Sequence, residues 1–122
     1  MARDAVSVTY VTKHTAVNTP SGVAINTTNG ANITGFKKAR KILLRITNTI
    51  TNATKTATIK AGAYPPGATS GLGDLALVVP QSGDILVTLE HARFVQTDGS
   101  INVDYSTGMT GALSVFEIPW NV

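Results

Sequence analysis

The chain has 122 residues, of which 43% are apolar and 14% charged, against a usual charged share of about 25%. That length suits one compact domain over residues 1–122 with a modest core, and the balance excludes a disordered tail, a coiled coil and a two-domain enzyme. Cysteine is absent, which removes disulfide frameworks, thiolate zinc sites and cysteine nucleophiles.

Met1-Ala2-Arg3-Asp4 leads into polar residues alternating with valines, without an apolar run long enough for a signal peptide or a bilayer span. A soluble chain without a lipid anchor or membrane partner is expected. Over residues 6–12, Val6, Val8 and Tyr10 alternate with Ser7, Thr9 and Val11, the period of a half-buried strand. Val23 and Ile25 suggest a second strand, and Asn29-Gly30 a turn, since both residues tolerate positive φ. Residues 41–47 put Ile42, Leu44 and Ile46 on one face and Lys41, Leu43 and Arg45 on the other. A helix running from Phe36 through Ala39 and Leu43 leaves Ile42 and Leu44 off its apolar stripe, so a strand is preferred.

Residues 55–61 alternate Thr56, Thr58 and Lys60 with Ala57, Ile59 and Ala61, and with 41–47 they suggest a hairpin with a long tip. Residues 62–73 hold Pro65-Pro66 and four glycines, the makings of an irregular loop. Residues 75–79, 85–89, 93–97, 101–105 and 113–118 complete nine strand candidates, most of them separated by turn signals. The expected fold is an all-β, single-domain β-sandwich or jelly-roll-like barrel of about eight or nine short strands. Its core is expected from Val8, Leu44, Ile46, Ile59, Leu75, Leu77, Leu86, Phe94, Ile101, Val103, Val115 and Ile118. Three Asn-x-Thr triplets, at Asn26, Asn32 and Asn52, are read as chance products of an Asn- and Thr-rich chain.

The net charge of +3 conceals an asymmetry: residues 1–73 carry nine Lys or Arg and one acid, whereas residues 74–122 carry Arg93 against six acids. Such halves either steer a partner or meet each other inside one fold. The densest basic cluster is Lys37, Lys38, Arg40, Lys41 and Arg45. Phe36 is its only aromatic companion, so a protein-docking face is preferred to nucleic acid, and Lys37, Lys38, Arg40 and Lys41 are the candidate partner-binding residues.

No constellation for catalysis emerges. His14 and His91 lack metal-ligand spacing, and Glu90 and His91, being adjacent, point to opposite faces of an extended segment. The glycine-rich stretch from Gly67 to Gly73 lacks the lysine and following helix of a phosphate loop. Asp98, Ser100, Asn102 and Asp104 recur at every second position, but a straight row diverges where calcium needs convergent oxygens, so they are read as an outward polar face. No Gly-x-Ser-x-Gly motif or arguable Ser-His-Asp set is present. Neither an enzyme nor a bound cofactor is expected.

Leu43-Leu44-Arg45-Ile46-Thr47-Asn48-Thr49, Thr58-Ile59-Lys60-Ala61-Gly62, Gly73-Asp74-Leu75-Ala76-Leu77-Val78-Val79-Pro80 and Ala92-Arg93-Phe94-Val95-Gln96-Thr97-Asp98-Gly99-Ser100-Ile101-Asn102-Val103 carry a resemblance. Over residues 41–118 the pattern resembles small all-β proteins of tailed bacteriophages, a family that includes head decoration, or cement, proteins. The resemblance implies a virion component, made in the host cytoplasm, that binds the major capsid protein on the capsid exterior and reinforces the head. It further implies a homo-oligomer, with a trimer favoured. Residues before 41 depart from the pattern. Residues 1–12 are expected to serve as an arm or edge strand for a neighbour, and the basic stretch 37–45 to meet acidic capsid surface. The alternative is a tail- or fibre-associated β-sandwich that recognises a host-surface glycan or receptor.

Overall fold

The structure, a computed structural model, describes residues 3–11, 16–17, 22–35, 41–62, 73–89 and 91–118. The chain is all-β. Its strands are β1 (Asp4–Tyr10), β2 (Val23–Ala24), β3 (Ala31–Thr34), β4 (Lys41–Asn48), β5 (Lys55–Ile59), β6 (Leu75–Val79), β7 (Gly83–Leu89), β8 (Ile101–Tyr105) and β9 (Gly111–Ile118), with a helical turn, α1 (His91–Phe94), after β7. Among the described residues these nine strands form one nearly closed sheet in the order β6-β5-β8-β3-β1-β9-β4-β7, with β2 also bonded to β9.

β1 divides this path. Residues 4–7 run parallel to β3, and Val8, Thr9 and Tyr10 run parallel to Val115, Phe116 and Glu117 of β9. A first sheet, β6-β5-β8-β3-β1, therefore passes into a second, β1-β9-β4-β7, at the middle of one strand. Residues 4–10, within the stretch 1–12 expected as an arm or edge strand, bond inside this chain, residues 4–7 along β3 and residues 8–10 along β9, with Val6 buried and Val8 packed on the core.

Alternation decides which side chains fill the space between the sheets. Ile33, Ile42, Leu44, Ile46, Ile59, Ile101, Val103 and Leu113 face inward with no exposed surface, each contributing roughly 1.5–3 kcal/mol before conformational entropy is subtracted. Phe94 and Met109 enter the same core from α1 and from the turn after β8. Two expected core residues lie elsewhere. Leu86 is 65% exposed because Ile85, Val87 and Leu89 take the inward positions of β7, and Ile118 lines an outer groove.

The expected hairpin of 41–47 with 55–61 does not form. β4 pairs with β7 and β9, whereas β5 pairs with β6 and β8, so the connection crosses from one sheet to the other. Asn48 holds that crossing. Its buried amide donates to the carbonyls of Ala53, Val79 and Pro80 at 3.3–3.4 Å and its oxygen accepts the Ile50 N–H at 3.0 Å. The expected strand 93–97 is replaced by α1 and a single bridge from Val95 to Ile101. There Arg93 C=O and the Gln96 side chain bond residues 61 and 62, which draws the segment across the end of the core instead of along a ladder. β3 was not expected. It follows an Asx turn in which Asn26 Oδ1 accepts the N–H groups of Thr28 and Asn29, and Gly30, at φ 72°, delivers the chain into the strand.

Gly111 marks the tightest backbone approach. Its φ is 138°, and a Cβ there would lie 1.8 Å from the Thr47 carbonyl oxygen. Gly111→Ala is expected to lower stability by about 3 kcal/mol or more through clash and backbone strain, read as a reduced urea midpoint with unchanged slope. Asn48→Ala leaves the Val79 and Pro80 carbonyls short of a donor and is expected to cost about 1–3 kcal/mol in the same measurement.

Candidate interaction surface

The outward positions of β4 are Lys41, Leu43, Arg45 and Thr47. Register brings Leu43 beside Phe116 and Thr88, Arg45 beside Ser114 and Leu86, and Lys41 beside Ile118. The outside of the second sheet thus sets Leu43, Leu86, Phe116 and Ile118 among its polar residues, where an outer face is ordinarily polar. Together with Val11 and Val17, Leu43, Arg45, Leu86, Phe116 and Ile118 line a groove of about 390 Å³. Lys41 is exposed at the start of β4. The other candidate partner-binding residues, Lys37, Lys38 and Arg40, lie outside the described residues.

Arg45 reaches Asp84 at 2.9 Å. That guanidinium, helped by the Thr47 hydroxyl, holds the Asp84 carboxyl below its ordinary value. On the first sheet Lys60 bonds Asp74 at 2.7 Å and lies 3.9 Å from Asp104, which also pairs with Arg3. The Lys60 ammonium and the Ala61 N–H lower the Asp74 carboxyl, and Asp74 in turn raises Lys60. Every one of these ion pairs joins a base from residues 1–73 to an acid from residues 74–122. Among the described residues, the charge asymmetry of the sequence is answered inside the fold.

The row Asp98, Ser100, Asn102 and Asp104 does not converge on a point. Asp98 Oδ1 accepts the Ser100 N–H and hydroxyl, Asn32 donates to Ser100 Oγ and Asn102 Oδ1, and Asp104 accepts from Arg3. Asn102 and Asp104 face outward, whereas Ser100 is buried within this network. Asn32 of the second Asn-x-Thr triplet is engaged here as a donor, and Asn26 of the first as a turn former. Among the described residues no three His, Cys, Asp or Glu side chains gather as a metal site. His14, Glu90 and residues 67–72 of the glycine-rich stretch lie outside the described residues, and of His91 only the backbone, which opens α1, is described. A smaller groove of about 270 Å³ lies between β1 and β2, bordered by Ala5, Ser7, Val23 and Ser114.

Sequence reasoning found Lys41 and Arg45 through their charge and missed the apolar residues beside them. The available signal was the loss of alternation in Ile42-Leu43-Leu44, Ile85-Leu86-Val87 and Val115-Phe116. Consecutive apolar residues mark strands with both faces covered, and these three runs are adjacent in the second sheet.

Because Asp74 and Asp84 titrate below their ordinary values, they favour the folded chain while ionised and lose that contribution as pH falls through their lowered values. Melting temperature is expected to hold between neutral pH and about pH 4 and to drop below it. In Asp74→Asn the acid-side drop becomes shallower, as followed by circular dichroism across a pH series. Comparison with protein-family models, with curated proteins and with solved structures finds no match to this chain.

Proposed function

We propose that this protein is a non-enzymatic structural component of a phage virion, seated on the outer capsid surface as a decoration protein that stabilises the head. The observation that carries this reading is the outer face of the second sheet. A largely apolar groove that Arg45 helps to line, with Lys41 paired beside its Ile118, suits docking against another protein. The resemblance of residues 41–118 supports the major capsid protein as partner, with the decoration protein bound as a homo-oligomer, a trimer being the favoured order. A repeating shell adds avidity, since neighbouring copies joined to one another rebind faster than one copy alone.

A glycan- or receptor-binding module of a tail or fibre would need polar side chains free to meet a ligand. Asn32 and Asn102 on the first sheet, and Asp98 in the turn before β8, are instead bonded within their own network, which weighs against a polar glycan site there.

Cosedimentation with undecorated phage heads, counting bound copies per hexamer, tests the proposal. Saturable binding is expected. Charge reversal at Lys37, Lys38, Arg40 and Lys41 together is expected to reduce occupancy by about tenfold at low salt, the direction set by loss of electrostatic attraction, while Thr97→Lys on an exposed turn leaves it unchanged. Binding to a glycan array with none to heads would replace this reading by the tail or fibre module.

A further inference from the structure

We infer that the open seam between β6 and β7 is a self-association surface, in which β7 of one copy hydrogen-bonds along β6 of a second copy. This inference does not depend on the proposed role at a capsid. β6 and β7 are the two ends of the strand order, and among the described residues each has a ladder partner on one side only. Only three residues separate them. The Gly83 N–H bonds the Pro80 carbonyl, the Ser82 N–H bonds Ile50, and Asn48 ties Val79 and Pro80 to the end of β4. Both free edges therefore border the same side of the molecule.

Three observations single out this seam. First, Val78 and Leu86, each 65% exposed, are the large apolar residues most open to solvent among those described, and one sits on each edge strand. Second, the core is incompletely covered here. Val79 and Leu89 are buried at the ends of the two strands, but the other inward residues, Leu75 and Leu77 of β6 and Ile85 and Val87 of β7, remain partly exposed, whereas Ile42, Leu44 and Ile46 in the interior of the second sheet are sealed. Third, within the two strands the devices that ordinarily protect an edge are sparse among the described residues. β6 has no charged residue and neither strand has Lys, Arg or Pro. Asp84 is the only charge in β7, and it is already bonded to Arg45.

A second copy is the occupant that answers all three. Main-chain groups along an open edge call for another strand, and this chain offers two open edges of matching character. Joining β7 to β6 of the next copy continues the second sheet of one into the first sheet of the other with their outer faces aligned. Ala76 and Val78 then border Leu86 and its neighbours Asp84 and Thr88, with no like charges opposed. Pairing of β7 with β7 would leave both β6 edges open, whereas β7 with β6 uses both edges of every copy and permits closure into a symmetric assembly.

The test uses the full chain, whose lack of cysteine makes single-cysteine variants unambiguous. In sedimentation velocity the wild type is expected to run larger than a monomer at about 100 µM and to dissociate on dilution. Val78→Asp and Leu86→Asp, both at exposed positions, are each expected to run as monomers with unchanged far-ultraviolet circular dichroism. Val78→Cys and Leu86→Cys proteins, mixed and treated with a short bismaleimide, are expected to give several-fold more covalent dimer than either protein alone. A wild type that stays monomeric, an oligomer that survives both aspartate substitutions, or Leu86→Cys protein that cross-links as well alone as in the mixture would overturn the proposal. Each readout concerns the free protein, so its failure is distinguishable from failure to bind heads.

Discussion

One strand belongs to two sheets, and the rest of the architecture follows from that. β1 is parallel to β3 over its first half and to β9 over its second, so the sheets are joined through an uninterrupted backbone and cannot slide independently. Parallel pairs are slightly less stable per residue than antiparallel ones, and β1 compensates with burial: Val6 is sealed and Val8 packs on the core. At the other side of the barrel Asn48 makes the second connection by side-chain hydrogen bonds. Between these two fastenings lies a core of branched aliphatic residues, and the strand order ends at β6 and β7.

The charges have a correspondingly local role. Arg45 with Asp84 links the neighbouring strands β4 and β7, Lys60 with Asp74 joins the end of β5 to the start of β6, and Arg3 with Asp104 reaches from the start of β1 past β3 to β8, with side chains 26–45% exposed. Pairs in that setting are screened by solvent and add little to stability. Their value lies in disfavouring wrong registers more than in holding the fold together. Once they have met one another, the feature that distinguishes the second sheet is its largely apolar groove, with Arg45, already bonded to Asp84, in the lining.

Much of this was legible from periodicity. Residues 75–79 and 101–105 are strands over the ranges that alternation indicates, and the inward faces of β4 and β5 follow from their spacing. Pairing was not legible: the successive segments 41–47 and 55–61 read as a hairpin, and only the three-dimensional environment of Asn48 shows why the chain leaves one sheet for the other. Ile85-Leu86-Val87 has no unique phase, so alternation alone does not show that Leu86 faces outward. β3 is four residues long and contains Asn32, too little pattern to register, and the 93–97 segment bends because its main chain and Gln96 find partners in residues 61 and 62. The interaction surface was half visible for the same reason. Lys41, Leu43 and Arg45 are two apart in the chain, but Phe116 and Leu86 reach them only through ladders formed across the sheet.

The ladder in which Val8 faces Val115 also sets a timetable for synthesis. A nascent chain emerging from the ribosome exposes β1 early, yet half of its hydrogen-bonding partners are not translated until β9 appears. Contacts so remote in sequence fold slowly, and in the interval the unsatisfied strand is open to mispairing with other polypeptides. Completion of the barrel is therefore a late event, and chaperone capacity in the producing cell becomes part of what determines the yield of native molecules.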